Sequence, residues 1–247
     1  MIIIPLLNRK GISFLSGSFY SLAIGPVWIT DPLIGLQTLL TTVKADSALL
    51  LSLLIPVALA LVFGRVFCGW VCPQNTLSEI MDRIAERMPF KRLLTPRARA
   101  LPRYIILIIV LAATLVLGFP LASLLSAPGI ISVQTARLIY EGTVGLELGL
   151  IAVILLAELF LVRRVWCNYL CPVGSMLSLF RLKRTLKVFF AEDGERSCMR
   201  CGECGSACQL GLNPMIGAIY PLCHNCGDCI EACDKMAGDR KPLSLKF

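Results

Sequence analysis

Twelve cysteines and a single histidine set the chemistry open to this 247-residue sequence. Residues 198–208 read CMRCGECGSAC and residues 223–233 read CHNCGDCIEAC, so C-x-x-C-x-x-C-x-x-x-C occurs twice within 36 residues. Thiolates at this spacing wrap three ligands round one face of a [4Fe-4S] cubane and send the fourth to a neighbouring cubane. The expected ligand sets are therefore crossed. Cys198, Cys201, Cys204 and Cys233 hold one cluster, and Cys223, Cys226, Cys229 and Cys208 hold the other. Gly202, Gly205 and Gly227 allow the tight turns and close backbone approach that hydrogen bonds to cluster sulfur need. Gln209 and Asp234 stand where proline usually follows the fourth cysteine, which bears on potential and not on ligation. Two zinc sites would not need the crossed fourth ligand. His224, inside the second motif, is expected at the surface and not as a ligand. As the only histidine it leaves haem without ligands, and no C-x-x-C-H occurs, so no haem is expected.

The other four cysteines lie in a duplicated segment. Residues 65–73 (RVFCGWVCP) align with 164–172 (RVWCNYLCP) at an offset of 99, with Arg, Val, both Cys and Pro identical. Upstream, PLIGLQT at 32–38 resembles PGIISVQT at 128–135 with one gap. Each half reads as a helical hairpin ending in Cys-x-x-x-Cys-Pro. Parallel repeats about a pseudo-twofold along the membrane normal bring Cys68, Cys72, Cys167 and Cys171 together at the inner surface. Four soft thiols at helix ends suit a shared third iron–sulfur cluster or zinc, with proline ending the helix and freeing its ligand to turn inward. A redox dithiol pair and inert packed thiols are the alternatives.

The elements that must position these groups are apolar. The chain is 56% hydrophobic and 16% charged, with a mean hydropathy of +0.76, which excludes a water-soluble globule. No charge interrupts residues 11–30, 47–64 or 104–136, and residues 145–166 carry only Glu147, Glu158, Arg163 and Arg164. At about 1.5 Å per residue, roughly 20 residues cross a bilayer core, so four transmembrane helices are expected. The opening MIIIPLL is too short to span and lacks a cleavage pattern, so it is expected to be retained.

Basic residues set the orientation. Arg9 and Lys10 precede the first run, a series from Arg83 to Arg103 lies between the second and third, and Arg163, Arg164, Arg181, Lys183, Arg184 and Lys187 follow the fourth. The outer loops hold only Lys44 and Arg137, so both termini and the C-terminal cysteine module face the cytoplasm. That asymmetry explains the pI of 9.0 through lipid headgroups, and no nucleic-acid partner is implied. After Cys72, Thr76 and Glu79 read as a capping box opening an amphipathic helix on the membrane face, with Glu79 paired to Arg83 and residues 175–187 as its repeat partner. Glu158, whose repeat counterpart is Leu59, is a candidate proton relay or a partner for Arg65.

The expected fold is an all-α polytopic membrane protein of four transmembrane helices, two parallel hairpin repeats, carrying a small C-terminal α+β ferredoxin domain of the bacterial two-[4Fe-4S] type. Its parts are residues 1–103, 104–191 and 192–247. ITDPLIGLQTLL (29–40), FCGWVCP (67–73), WCNYLCPVG (166–174) and the paired cysteine motifs resemble the NapH-type ferredoxin-like membrane subunits of periplasmic nitrate reductase systems. The resemblance implies a bacterial inner-membrane quinol dehydrogenase component, with quinol as substrate. It implies electrons passing to a periplasmic or membrane iron–sulfur or cytochrome c partner within a multi-protein complex. Under it, Trp28, Asp31, Gln37 and Gln134 are the candidate quinone-site groups near the outer surface. The alternative function is metal handling or maturation, in which the Cys-x-x-x-Cys-Pro thiols bind or reduce a metal ion for an enzyme outside.

Overall fold

The computed structural model describes residues 15–247 apart from 19, 26, 43–46, 89–99, 119–120, 181–184, 192–197, 217–218, 220 and 239–241. The opening MIIIPLL, several of the flanking cations and Lys44 lie outside the described residues.

The first uncharged run is not a helix. Residues Leu15–Gly17 (β1), Ser21–Ile24 (β2) and Val27–Thr30 (β3) form an antiparallel meander with Leu15 opposite Ile24 and Ser21 opposite Thr30. Absence of charge does not specify a helix. Gly25, at φ 57°, makes the second turn in the left-handed region that glycine reaches without strain. An open sheet edge is not tolerated against lipid. One side of the meander is covered, since β3 packs against the helix Ser47–Phe63 and the Tyr20 hydroxyl donates to the carbonyl of Ser123.

The rest of the two repeats is helical, and the elements correspond. Pro32–Thr42 (α1), Ser47–Phe63 (α2), Val66–Trp70 (α3) and Pro73–Arg87 (α4) make up the first. Ala100–Leu117 (α5) and Leu121–Leu124 (α6) lead into the second, which runs Ala127–Glu141 (α7), Glu147–Phe160 (α8), a π-helical turn Trp166–Leu170 and Pro172–Leu177 (α9). α4 packs on α7 and α8 of the second repeat, while α9 packs on α5 and on α1 of the first.

Among the described residues one helix, α5 with 18 residues, is long and apolar enough to cross a bilayer. Gly64, at φ 66°, stops α2 after 17 residues, and α8 ends after 14 because Arg163 and Arg164 turn back toward Asp82. The uncharged stretch 104–136 is divided at Gly118 (φ 63°) and again before Ala127. All three helices nevertheless present large apolar side chains outward, among them Leu51 (70% exposed), Ile108 (65%) and Val153 (63%).

Two local expectations are corrected. Cys72 is the N-cap of α4 and Pro73 opens it, so Thr76 and Glu79 lie inside the helix and form no capping box. The Glu79–Arg83 pair does form, at 2.7 Å. In the second repeat α9 stops at Leu177, and residues 187–190 are already a strand, so no helix runs through 175–187.

The C-terminal module sets Glu203–Ala207 (α10) against Asp228–Ala237 (α11), beside strands Lys187–Phe190 (β4) and Leu243–Lys246 (β5). β4 precedes residue 192 yet pairs antiparallel with β5, Lys187 opposite Lys246. The core of this module includes cysteines: Cys204, Cys229 and Cys233 pack with Val188, Ile219 and Leu243.

Candidate functional site

The two C-terminal motifs fold into matching loops. Arg200 (φ 53°) and Asn225 (φ 55°) each sit two residues after the first cysteine in a left-handed conformation. Their amides donate to Cys198 Sγ and Cys223 Sγ at 3.4 Å, and Leu212 N reaches Cys208 Sγ at 3.4 Å. Gly202 and Gly227, at φ 80° and 92°, then open α10 and α11.

Two cavities result. One is lined by Cys208, Cys223, Cys226 and Cys229, the other by Cys198, Cys201, Cys204 and Cys233. Each cavity thus takes three cysteines from one motif and one from the other. Among the described residues no three His, Cys, Asp or Glu groups are placed to hold a metal ion. Four thiols round a cavity, with amides donating to sulfur, fit a [4Fe-4S] cluster. Burial pushes Cys223 up to about 11 and Cys229 to about 12, so without metal these thiols keep their protons, which metal binding would release.

His224 departs from expectation. It is buried at 5% exposure on the wall of the first cavity, because its loop docks on the first repeat. Burial and the charges of Arg65, Arg164 and Arg103 push its pKa down to about 3, which keeps it neutral.

The two Cys-x-x-x-Cys-Pro motifs lie near each other: Cys72 feels the charge of Cys68 and Cys171, Cys167 that of Cys72 and Cys171, and all four are free thiols. Cys72 and Cys171 are both N-caps, and Cys171 Sγ accepts from Gly174 N at 3.4 Å. The repeat-related arginines cross over. Arg164 donates to Asn75 O at 2.7 Å and Asn75 Oδ1 at 2.8 Å, while Arg65 reaches Gly174, the counterpart of Asn75. Burial raises Cys72 to about 12 and Cys171 to about 11. Reactive dithiols work through lowered pKa values, so this environment is poor for a redox pair.

Beneath the motifs lies a buried charge network. Asp82 accepts from Arg163 Nε at 2.9 Å and Arg164 Nε at 3.2 Å. Glu158 accepts from Trp166 N at 3.3 Å and neighbours Ser78 and Arg164; its charge partner is therefore Arg164 and not Arg65.

Of the four quinone candidates, Asp31 lines a large cleft. Trp28 is 61% exposed on β3. Gln37 donates to Thr114 Oγ1 at 2.8 Å, and Gln134 bridges Glu147 Oε2 at 2.8 Å and Gly145 N at 2.7 Å, so both hold helices together. The large cleft reaches from Asp31 past Pro56 and Leu59 to Phe67 and Val71, which directly precede Cys68 and Cys72. These apolar residues carry no signal that separates them in sequence from any membrane helix. Burial raises the Asp31 carboxyl to about 6, although Oδ1 caps α1 through Leu33 N at 2.7 Å.

A family profile described as "4Fe-4S binding domain" matches residues 47–94 and 144–188, the two segments bearing the Cys-x-x-x-Cys-Pro motifs. The ferredoxin-type protein NapH of Escherichia coli K12 is 27% identical over 91% of this chain and 79% of its own. The methylamine utilization ferredoxin-type protein MauN of Methylorubrum extorquens AM1 is 34% identical over 80% of this chain and 67% of its own, and MauN of Paracoccus denitrificans is 30% identical over 80% and 68%. No solved structure matches. With cysteine motifs, duplication and sequence in agreement across most of its length, the chain belongs to the NapH and MauN family of ferredoxin-type proteins.

Proposed function

We propose that this protein is a membrane-bound iron–sulfur electron-transfer subunit that takes electrons from quinol and passes them toward a periplasmic redox partner. One observation carries the quinol reading: an apolar cleft with a carboxyl at one end and the Cys68 and Cys72 motif at the other. The crossed cysteine sets supply the ligands for two [4Fe-4S] clusters, Cys198, Cys201, Cys204 and Cys233 for one and Cys208, Cys223, Cys226 and Cys229 for the other. Clusters held there exchange single electrons. Quinol releases two electrons and two protons, so the cleft needs a base at its polar end. Asp31, with its carboxyl near 6, is poised to accept a proton at neutral pH. Apolar side chains exclude water from the remainder of the cleft.

The outward apolar faces of α2, α5 and α8 support a multi-pass bilayer setting, since soluble monomers rarely expose contiguous patches above a few hundred Å². The basic loops favour cytoplasmic termini and a cytoplasmic C-terminal module beginning near residue 192. A relay this small works within a larger assembly. Adding a quinol analogue to the anaerobic, detergent-solubilised full chain is expected to generate the EPR signals of reduced clusters, at a rate lowered at least tenfold by Asp31→Asn. Clusters that dithionite reduces and quinol does not would overturn the reading.

The gathering of four thiols favours one second reading, metal handling. Serine at those four positions would then abolish metal delivery to an outside enzyme while leaving the C-terminal EPR signals intact.

A further inference from the structure

The last turn of α2 is closed by residues far along the chain. A helix leaves its final four carbonyls without partners of its own, and against lipid no water is at hand to take them. Ala60 O accepts from Gly64 N, just past the helix end, at 2.8 Å. The other three are met from outside. Leu61 O accepts from Thr185 Oγ1 at 2.7 Å, Val62 O from Leu186 N at 2.9 Å and Phe63 O from Asn225 Nδ2 at 3.3 Å. Asn225 is 1% exposed, and the same amide nitrogen also donates to Leu186 O at 2.8 Å. Both acceptors are carbonyls, so only the nitrogen of the side-chain amide can face them. The loop accepts as well as donates: Leu222 O accepts from Arg65 Nη1 at 2.7 Å, and Asn225 O from Trp70 Nε1 at 3.0 Å.

Asn225 stands between Cys223 and Cys226, two of the four cysteines round one cavity. Its backbone is left-handed (φ 55°), and its amide donates to Cys223 Sγ at 3.4 Å. Phe63, Gly64, Val66 and Phe67, at and just after the capped turn, line the apolar cleft. One residue therefore joins the cysteine loop to the wall of the cleft. We infer that Asn225 is a positioning residue that couples the iron–sulfur site of Cys208, Cys223, Cys226 and Cys229 to the cleft. The loop shaped round that site holds the end of α2, and the end of α2 holds the inner wall of the cleft. Filling the site fixes the loop, because its sulfur ligands set where Cys223 and Cys226 stand relative to one another. The coupling is reciprocal, so an occupant of the cleft that steadies residues 63–67 also steadies the loop. The other cysteine set turns to solvent: on the wall of its cavity Met199, Cys201 and Met236 are exposed. That the occupant is quinol rests on the function proposed above; the coupling itself does not.

Hydrogen exchange and iron content of the anaerobically purified, detergent-solubilised full chain test the coupling. Asn225→Gly keeps a residue that adopts φ 55° without strain and removes the side-chain donor. Iron content and the EPR signals after dithionite should stay native, while exchange at residues 61–64 rises about tenfold and KM for a quinol analogue rises by more than kcat falls. Cys208→Ala removes a ligand that lies outside the loop. It should cost about four irons and raise exchange at 61–64 in the same way, whereas Cys201→Ala should cost about four irons and leave 61–64 protected. Native exchange at 61–64 in Asn225→Gly, raised exchange there with KM unchanged, or equal exchange after either cysteine substitution would overturn the inference. Raised exchange in Asn225→Gly and Cys208→Ala, with no response of the native chain to the quinol analogue, would leave the coupling standing and sink the quinol reading alone.

Discussion

Asp31 does two things with one side chain, and the two respond differently to substitution. Its carboxylate caps α1 through Leu33 N, a role that the Asn carbonyl keeps. Its burial, however, raises the folded pKa from 3.8 to about 6, so the native state holds a proton that the unfolded chain has already lost between those values. The Asp31 contribution to stability is therefore full below pH 4 and is lost as pH rises through 6, by on the order of 3 kcal/mol. Asp31→Asn should flatten that decline and raise the melting temperature at pH 7, while slowing quinol-driven reduction. Thermal unfolding at pH 4 and pH 7 in both proteins checks it, and equal slopes would show that the carboxyl is solvated. Asp31 stands out in the sequence as the lone acid among apolar residues. Arg103 carries no comparable mark, because one more cation before a membrane helix is ordinary. Its burial against Cys167 follows from the packing of α5 on the π-helical turn.

At the scale of elements, α4 and the turn after α8 are joined by Asp82, which is 4% exposed and accepts from both Arg163 and Arg164. Removing one member of a buried ion pair strands the others. Asp82→Ala should destabilise the protein by roughly 3–5 kcal/mol, visible as a lowered unfolding midpoint, with the C-terminal cluster signals retained. The identical Arg-Val-x-Cys of the two repeats told in advance that these elements correspond. The length of each helix was not legible in the same way. α2 and α8 stop where Gly64 and the Arg163–Arg164 turn redirect the chain, and the uncharged stretch 15–30 pairs as strands because strand partners, not local polarity, satisfy its backbone.

For the whole molecule the decisive contact is the seating of the 222–226 loop on residues 63–70. Asn225 Nδ2 donates to Leu186 O at 2.8 Å and Phe63 O at 3.3 Å, and Gly69 supplies the clearance. Gly69→Val should lift the loop without disturbing α10 or α11. Hydrogen exchange would then rise at 222–226 while protection in α11 is unchanged, and electron delivery between the helical repeats and the C-terminal module would fall at least tenfold. Unaltered exchange in that loop would show that the contact is loose.

The sequence by itself marked out the candidate ligand sets. Thiol spacing along the chain limits which cysteines can share a cluster, and the two cavities are lined by the sets that the spacing implies. It also determined that the halves of the chain are related, since an identical motif folds into a similar turn. The tertiary structure alone decided that the 222–226 loop seats on residues 63–70, that His224 is inside, and where the apolar cleft runs. Those properties depend on distances between residues far apart in the chain, set by how the two hairpins and the module pack, and no local pattern encodes them.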